Sequence, residues 1–300
     1  MVNKHKIYKY LIIPVTCIHS TCIHPYQHMM IIMTEIVPRQ KVQIKDWNGM
    51  ANDYFAHIIS PFYDSASKAK FFEALDKIVK KSNSEIRNVF EAGCGNGYLL
   101  PYLSNRYPDS EIIAADNSVS MVQNAKVASL EQNISVDVMR ADTADLPFHD
   151  SAFDAVYAIN SLLDVSRQKR GKMMTELYRV MRQGAALYAL FPSNENFLDQ
   201  AYALKERKTR DGEDEHSAVM DVYTYLASRN YDPIGGFIDI PKTELRIKLY
   251  SSHEIADRTR EAGFKSIKIR RFTYPKSTVS ESGLITTRNG IYDWLVRAEK

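Results

Sequence analysis

V-F-E-A-G-C-G-N-G-Y, residues 89–98, decides the fold of this 300-residue chain. A short apolar strand, 88–90, runs into three alternate glycines, Gly93, Gly95 and Gly97, and a helix carrying Leu99, Leu100 and Leu103 follows. Small residues at such a point let a ligand approach the backbone and let the helix start close to the sheet. A dinucleotide-binding loop would continue G-x-G-x-x-G and needs glycine at 98; the residue there is Tyr98, which disfavours a pyrophosphate. About 20 residues past the glycines the second strand ends at Asp116, where an open α/β sheet presents an acidic side chain to ribose hydroxyls. With Glu91 it places two carboxylates beside the loop. Such a site is poor for phosphates and good for a cationic, amine-bearing nucleoside.

Outward from the loop, strand and helix patterns alternate: strand 111–115 with helix 119–130, strand 135–140 with a turn at Leu146 and Pro147, strand 153–160 with helix 169–181, then strand 185–191. Helix-length connections between apolar strands predict a parallel, doubly wound α/β sheet of Rossmann-like type, seven-stranded and covered on both faces. Helical patterns at 47–58 and 67–80 precede it. Between residues 192 and 241 the alternation stops, giving way to the charged run 205–216 and then to aromatics, which reads as an insertion. Regular structure resumes with an expected strand 244–250, a helix 252–262 and a strand 266–272, so the insertion is placed before the last two strands.

Four motifs in order, E-A-G-C-G-N-G (91–97), D-N-S-V-S-M (116–121), A-D-T-A-D-L-P-F (141–148) and F-D-A-V-Y-A (153–158), resemble the class I S-adenosylmethionine-dependent methyltransferases of the small-molecule, ubiquinone and menaquinone biosynthesis type. A fifth, E-L-Y-R-V-M-R-Q-G-A (176–185), departs from the family's pattern at Gln183 and Ala185, in a turn. The resemblance covers roughly residues 47–191. It implies S-adenosylmethionine as cofactor, with Gly93 and Gly95 and the neighbouring backbone of Asn96 and Gly97, next to Glu91, at its methionine part, and Asp116 on the ribose. It further implies Asn117 and Met121 flanking the adenine, Asp142 and Thr143 reading the adenine edge, Asn160 and Ser161 beneath the methyl donor, and Tyr54 closing over the cofactor.

The acceptor is less defined. It should lie over the carboxyl ends of the strands, where the N-terminal helices and the 192–241 insertion can form a lid; Tyr63, Tyr223, Tyr225 and Phe237 are the lid candidates, and they suit a partly apolar small molecule. His149, His216 and His253 are candidate general bases for a hydroxyl or carbon acid. Nucleic-acid bases are disfavoured: an adenine-N6 enzyme would carry [DNS]-P-P-aromatic where this chain has Asn160-Ser161-Leu162-Leu163, and a cytosine-C5 enzyme needs a catalytic cysteine, for which Cys94 has no evident partner base. The other readings are a catalytically silent S-adenosylmethionine-binding regulatory or scaffold protein, an RNA methyltransferase using the basic runs 167–172 and 205–210, a protein methyltransferase, and a membrane-tethered enzyme.

Bulk properties agree with an ordinary enzyme domain. Hydrophobic residues make up 45% of the chain, enough for a large core, and 39 basic against 36 acidic residues leave a charge of +3, which points to neither nucleic acid nor an anionic membrane. Three cysteines make no disulfide framework and suggest a cytoplasmic setting. Residues 1–46 read as a poorly ordered extension. Its apolar patches, 11–13 and 29–33, are interrupted by Pro14, His19, His24 and Pro25, so no membrane span is expected. Cys17, His19, Cys22, His24 and His28 crowd together without a scaffold, so no metal site is expected there.

Overall fold

The computed structural model describes residues 45–52, 60–79, 86–281 and 287–300. The expected N-terminal extension lies almost wholly outside them, as do Tyr54 and the cysteines and histidines of residues 17–28.

The chain begins with helix α1 (Trp47–Met50), then α2 (Ser65–Ile78), and then alternates: β1 (Asn88–Ala92), α3 (Leu100–Arg106), β2 (Glu111–Asp116), α4 (Val119–Glu131), β3 (Asp137–Arg140), β4 (Phe153–Ile159), α5 (Arg167–Val180) and β5 (Met181–Pro192). Helices α6 (Asn194–Arg210) and α7 (Glu215–Ser228) and a hairpin of β6 (Phe237–Asp239) and β7 (Arg246–Lys248) come next, followed by α8 (Ser252–Glu261), β8 (Lys265–Thr273), α9 (Lys276–Glu281) and β9 (Tyr292–Glu299). Serine or aspartate opens most of the longer helices: Asp64, Ser118, Ser166, Ser193, Asp214 and Ser251 each accept a hydrogen bond from a first-turn backbone N–H. Each such cap contributes about 1 kcal/mol and fixes where its helix leaves the preceding strand or loop.

Seven strands form the main sheet, in the order β3-β2-β1-β4-β5-β9-β8. The first five are parallel, and β9 runs antiparallel between β5 and β8. Phe71 and Leu75 of α2, Leu103 of α3 and Val122 and Ala125 of α4 pack on one face, against Val89, Ile112, Tyr157 and Leu190. Met173 and Leu177 of α5 and Ile255 of α8 cover the other, against Phe90, Val156, Leu187 and Val296. Burial on both faces is why these strands read as continuous apolar runs.

The expected doubly wound sheet is therefore present, with one correction at its far edge. The strand expected at 244–250 does not join it; β7 pairs with β6 in a separate two-stranded hairpin. The last two strands are β8 and β9. Asp293, Arg297 and Glu299 break the apolar pattern of β9 and hide it in the sequence, yet Asp293 and Arg297 are buried inside the sheet. Residues 205–210, basic in sequence, lie on α6, where Lys205 pairs with Glu215 and Lys208 with Glu213 and Asp221. Among the described residues no helix is long and apolar enough to cross a membrane.

Candidate functional site

Strand order reverses between β1 and β4, and a crevice opens there at the strands' carboxyl ends, the place where open α/β sheets bind ligands. A cavity of about 340 Å³ fills it. Its floor is the loop after β1, whose Gly93 and Cys94 backbone N–H groups both donate to Ala115 O, at 2.7 and 2.9 Å, stitching the loop to the end of β2. Gly93 has φ +71°, and a Cβ there would stand 2.2 Å from the Cβ of Ser161. The loop after β1 and the loop after β4 thus touch through a position that only glycine can fill.

Glu91 is almost fully buried, and its Oε2 has no hydrogen-bond partner. Burial first, and then the negative charge of Asp116, push its carboxyl well above the usual range. Asp116 is raised by burial as well, against the pull of backbone N–H donors: its Oδ2 accepts from Gly95 N at 2.9 Å and its Oδ1 from Ser118 N at 2.8 Å. A carboxylate has about four acceptor sites, so these two bonds orient Asp116 and leave capacity facing the cavity. Asn160, in the left-handed region at φ +50°, and Ser161 add two more buried oxygens, Oδ1 and Oγ, without partners. Orphaned acceptors and a buried carboxyl pair suit a ligand that brings donors and positive charge. The Cys94 thiol is buried and pushed well up by burial and by the two carboxylates, so it is no nucleophile.

Asp142 lies on the wall beyond β3. Burial raises its carboxyl, but the Ala144 N–H and Lys169, 3.0 Å away, outweigh that and hold it below the ordinary range. Lys169 also reaches Asp164 at 3.6 Å, and its own proton is held more tightly because of Asp142. Helix α1 closes the near side: Asn48 accepts from the Ser118 hydroxyl at 2.9 Å, and Asn96 donates to Ala51 O at 2.7 Å. Trp47 and Phe62 complete that wall.

Of the residues expected at the cofactor, Glu91, Gly93, Gly95, Asn96, Asp116, Asn117, Met121, Asp142, Thr143, Asn160 and Ser161 all line this cavity, and Tyr54 is outside the described residues. Gly97 does not line it. A Cβ at Gly97 would meet Leu100 at 2.9 Å and Ala125 at 3.1 Å, so that glycine serves the approach of α3 to α4. The candidate bases His149, His216 and His253 are exposed and none lines the cavity; the last two sit in the first turns of α7 and α8. The lid aromatics are elsewhere too. Tyr225 stacks on Phe197 at 5.7 Å within the insertion, and Phe237 is ringed by Arg170, Arg246 and Lys248 at 5.4 to 5.8 Å. Tyr63 and Tyr223 are not among the lining residues, whereas the neighbour Phe62 is. Leu245 and Arg246, which sequence reasoning missed, are the residues the 193–251 segment contributes. Their only signal in the sequence is the strand pattern at 244–250, which points to the main sheet rather than to a hairpin.

Residues 89–184 match the family model described as a methyltransferase domain. Over 146 residues the chain is 30% identical to demethylmenaquinone methyltransferase from Thermus thermophilus, covering 45% of this chain and 63% of that protein. It thus spans less than two thirds of that relative. Over 205 residues it is 26% identical to trans-aconitate 2-methyltransferase from an Acidovorax species, covering 64% and 74% of the two chains. Among solved structures, a SAM-dependent methyltransferase from Methanosarcina mazei superposes with a TM-score of 0.51 at 18% identity, covering 72% of this chain and 93% of that one. A second, from Mesorhizobium loti, gives 0.52 at 14%, covering 79% and 100%. These two share the fold.

Proposed function

We propose that this chain, whose residues 89–184 match a methyltransferase-domain model, is a class I S-adenosylmethionine-dependent methyltransferase that binds S-adenosylmethionine in the β1–β4 crevice and methylates a small-molecule acceptor there. The observation that carries this reading is the buried, unpartnered Glu91 carboxyl beside Asp116, which calls for a ligand that is cationic and rich in donors. Asp116 takes the ribose hydroxyls with the acceptor capacity its two backbone bonds leave. Glu91, Asn160 and Ser161 face the methionine part, the Gly93–Gly95 backbone allows it to come close, and Asn117, Met121, Asp142 and Thr143 surround the adenine.

When bound, S-adenosylmethionine supplies an already activated sulfonium methyl group. What remains for the protein is alignment and exclusion of water. The Gly93–Ser161 contact and the Asn160 backbone, bonded to Leu190 O at 3.0 Å, hold the floor in one geometry. Helix α1 and the 193–251 segment roof the cavity through Trp47, Leu245 and Arg246. The small-molecule acceptor is supported by the cavity's size, about 340 Å³, and by the small-molecule substrates in the names of both relatives.

The test is direct. Asp116→Ala should weaken S-adenosylmethionine binding, read by calorimetry, by about 1.5–3 kcal/mol, the range for a hydrogen bond to a charged group. The wild-type chain should release adenosylhomocysteine when given the donor and a metabolite extract. Unchanged affinity in the variant would remove Asp116 from the site; tight binding without turnover across extracts would favour a silent binding protein.

A further inference from the structure

The cavity is electrically lopsided. Its floor and side wall carry Glu91, Asp116, Asp142 and Asp164, while its cations are Lys169 and Arg246. Lys169 is committed to Asp142 and Asp164, at 3.0 and 3.6 Å. Arg246 is only half committed. It lies on β7, directly across the hairpin from Asp239, and its Nη1 donates to Asp239 Oδ1 at 2.7 Å and to Asn230 O at 3.0 Å. Among the described residues Nε and Nη2 have no partner. These two nitrogens form one edge of the guanidinium, the fork that meets a carboxylate with two parallel hydrogen bonds. The opposite edge is pinned by Asp239 and Asn230, and the ring of Phe237 lies 5.8 Å from the guanidinium carbon, so the free edge is held in place. The backbone of Lys248, two residues on, donates to Leu163 O at 3.1 Å, which sets β7 beside the loop after β4 where Asn160 and Ser161 lie.

We infer that Arg246 is the anchor for a carboxylate on the methyl acceptor, which makes the acceptor an organic acid. The inference rests on the methyl-transfer reading above and deepens it. An acidic floor repels an anionic group and the roof's one uncommitted guanidinium edge attracts it, so the acceptor enters with its carboxylate toward β7. The floor stays with the cationic donor. Arg246 acts as a specificity-determining residue that contacts the acceptor and leaves cofactor binding alone.

The experiment uses the full-length chain, loaded with adenosylhomocysteine, and three acids of different shape, cinnamate, citrate and octanoate, each beside its carboxamide. Calorimetry is run on wild type, Arg246→Gln and Arg246→Lys. At least one acid should bind while its amide does not; R246Q should weaken that acid at least about tenfold and R246K should recover part of the loss. S-Adenosylmethionine affinity should stay within about twofold in both variants. Amides binding as well as acids, no acid binding to the loaded protein, an unchanged acid affinity in R246Q, or a loss of cofactor affinity in R246Q would each overturn the assignment. Failure of the parent reading is distinguishable, because it shows as no binding of S-adenosylmethionine before any acid is added. Acid binding that depends on Arg246, without turnover, would keep the anchor and remove the reaction.

Discussion

At the floor of the crevice Glu91 Oε2, Asn160 Oδ1 and Ser161 Oγ are buried without a hydrogen-bond partner, whereas under the roof the equally buried Lys248 ammonium donates to Gly235 O, Leu249 O and Glu254. One polar cluster is incomplete on its own and the other is complete. Buried polar groups left unsatisfied cost roughly 1–3 kcal/mol each, and three of them are gathered at the lining of one cavity. The floor thus has the chemistry the proposed ligand calls for, while the Lys248 cluster ties β7 to the turn at Gly235 and to α8. The two regions should answer mutation differently.

The sharpest break in that contrast is Gly93→Val. It sets a β-branched side chain at positive φ and drives it into Ser161, combining strain with overpacking for an expected loss of about 3–5 kcal/mol in denaturant unfolding. A loss under 1 kcal/mol would mean that the floor is not close-packed. Next is Lys248→Met, which strips Glu254 and two carbonyls of a shared donor. Breaking such a buried ion pair costs about 3 kcal/mol, the lower end of the usual range because Glu254 is partly exposed. Hydrogen exchange should accelerate at 237–249 and stay unchanged at 89–98; uniform acceleration would dissolve the distinction between floor and roof.

Asp293 tests the joint between the two. It sits on β9, fully buried, and accepts from Tyr274 OH at 2.7 Å and from Ser193 N, where the insertion leaves β5, at 3.2 Å. Burial pushes its carboxyl up to about 6. A carboxyl whose folded pKa is raised contributes stability below its unfolded value near 4 and loses it as pH rises through 6. Wild-type stability should therefore fall across that interval from this residue. Asp293→Asn should flatten the profile, with a gain on the order of 1–2 kcal/mol at pH 7.5 and little difference at pH 3.5. A parallel pH dependence in wild type and variant would show that Asp293 does not titrate there. The smallest effect belongs to Ser118→Ala, which removes the cap of α4 and the hydroxyl bonded to Asn48; about 1 kcal/mol is expected in thermal unfolding.

The sequence was legible where chemistry and backbone geometry coincide. Glycines after a strand, an acid at the end of the next, and two-sided apolar strands each leave a local mark, and from 88 to 192 the elements follow that reading closely. Gly97 misled because a glycine required by helix packing looks the same as one required by a ligand. The 244–250 stretch misleads because alternation specifies a strand and not its partner, and β9 is hard to see because charged residues interrupt its apolar pattern, Asp293 being matched by Tyr274 and Ser193, 19 and 100 residues away along the chain. The histidines illustrate the same limit: residue type marks an available base, but only the fold decides whether it faces the cavity or the solvent.

That a Cβ at position 93 would fall 2.2 Å from that of Ser161 has one more consequence, for variation among sequences. Residues 68 apart in the chain occupy a single volume, so they cannot drift independently. A side chain can enter at 93 only if 161 gives up its own and the backbone at 93 leaves the left-handed region. Any lineage that keeps this loop should hold glycine at 93 whatever stands at 161, while position 161 is free to shrink but not to grow toward the loop. Ser161→Gly is then a small change that would widen the crevice from its floor.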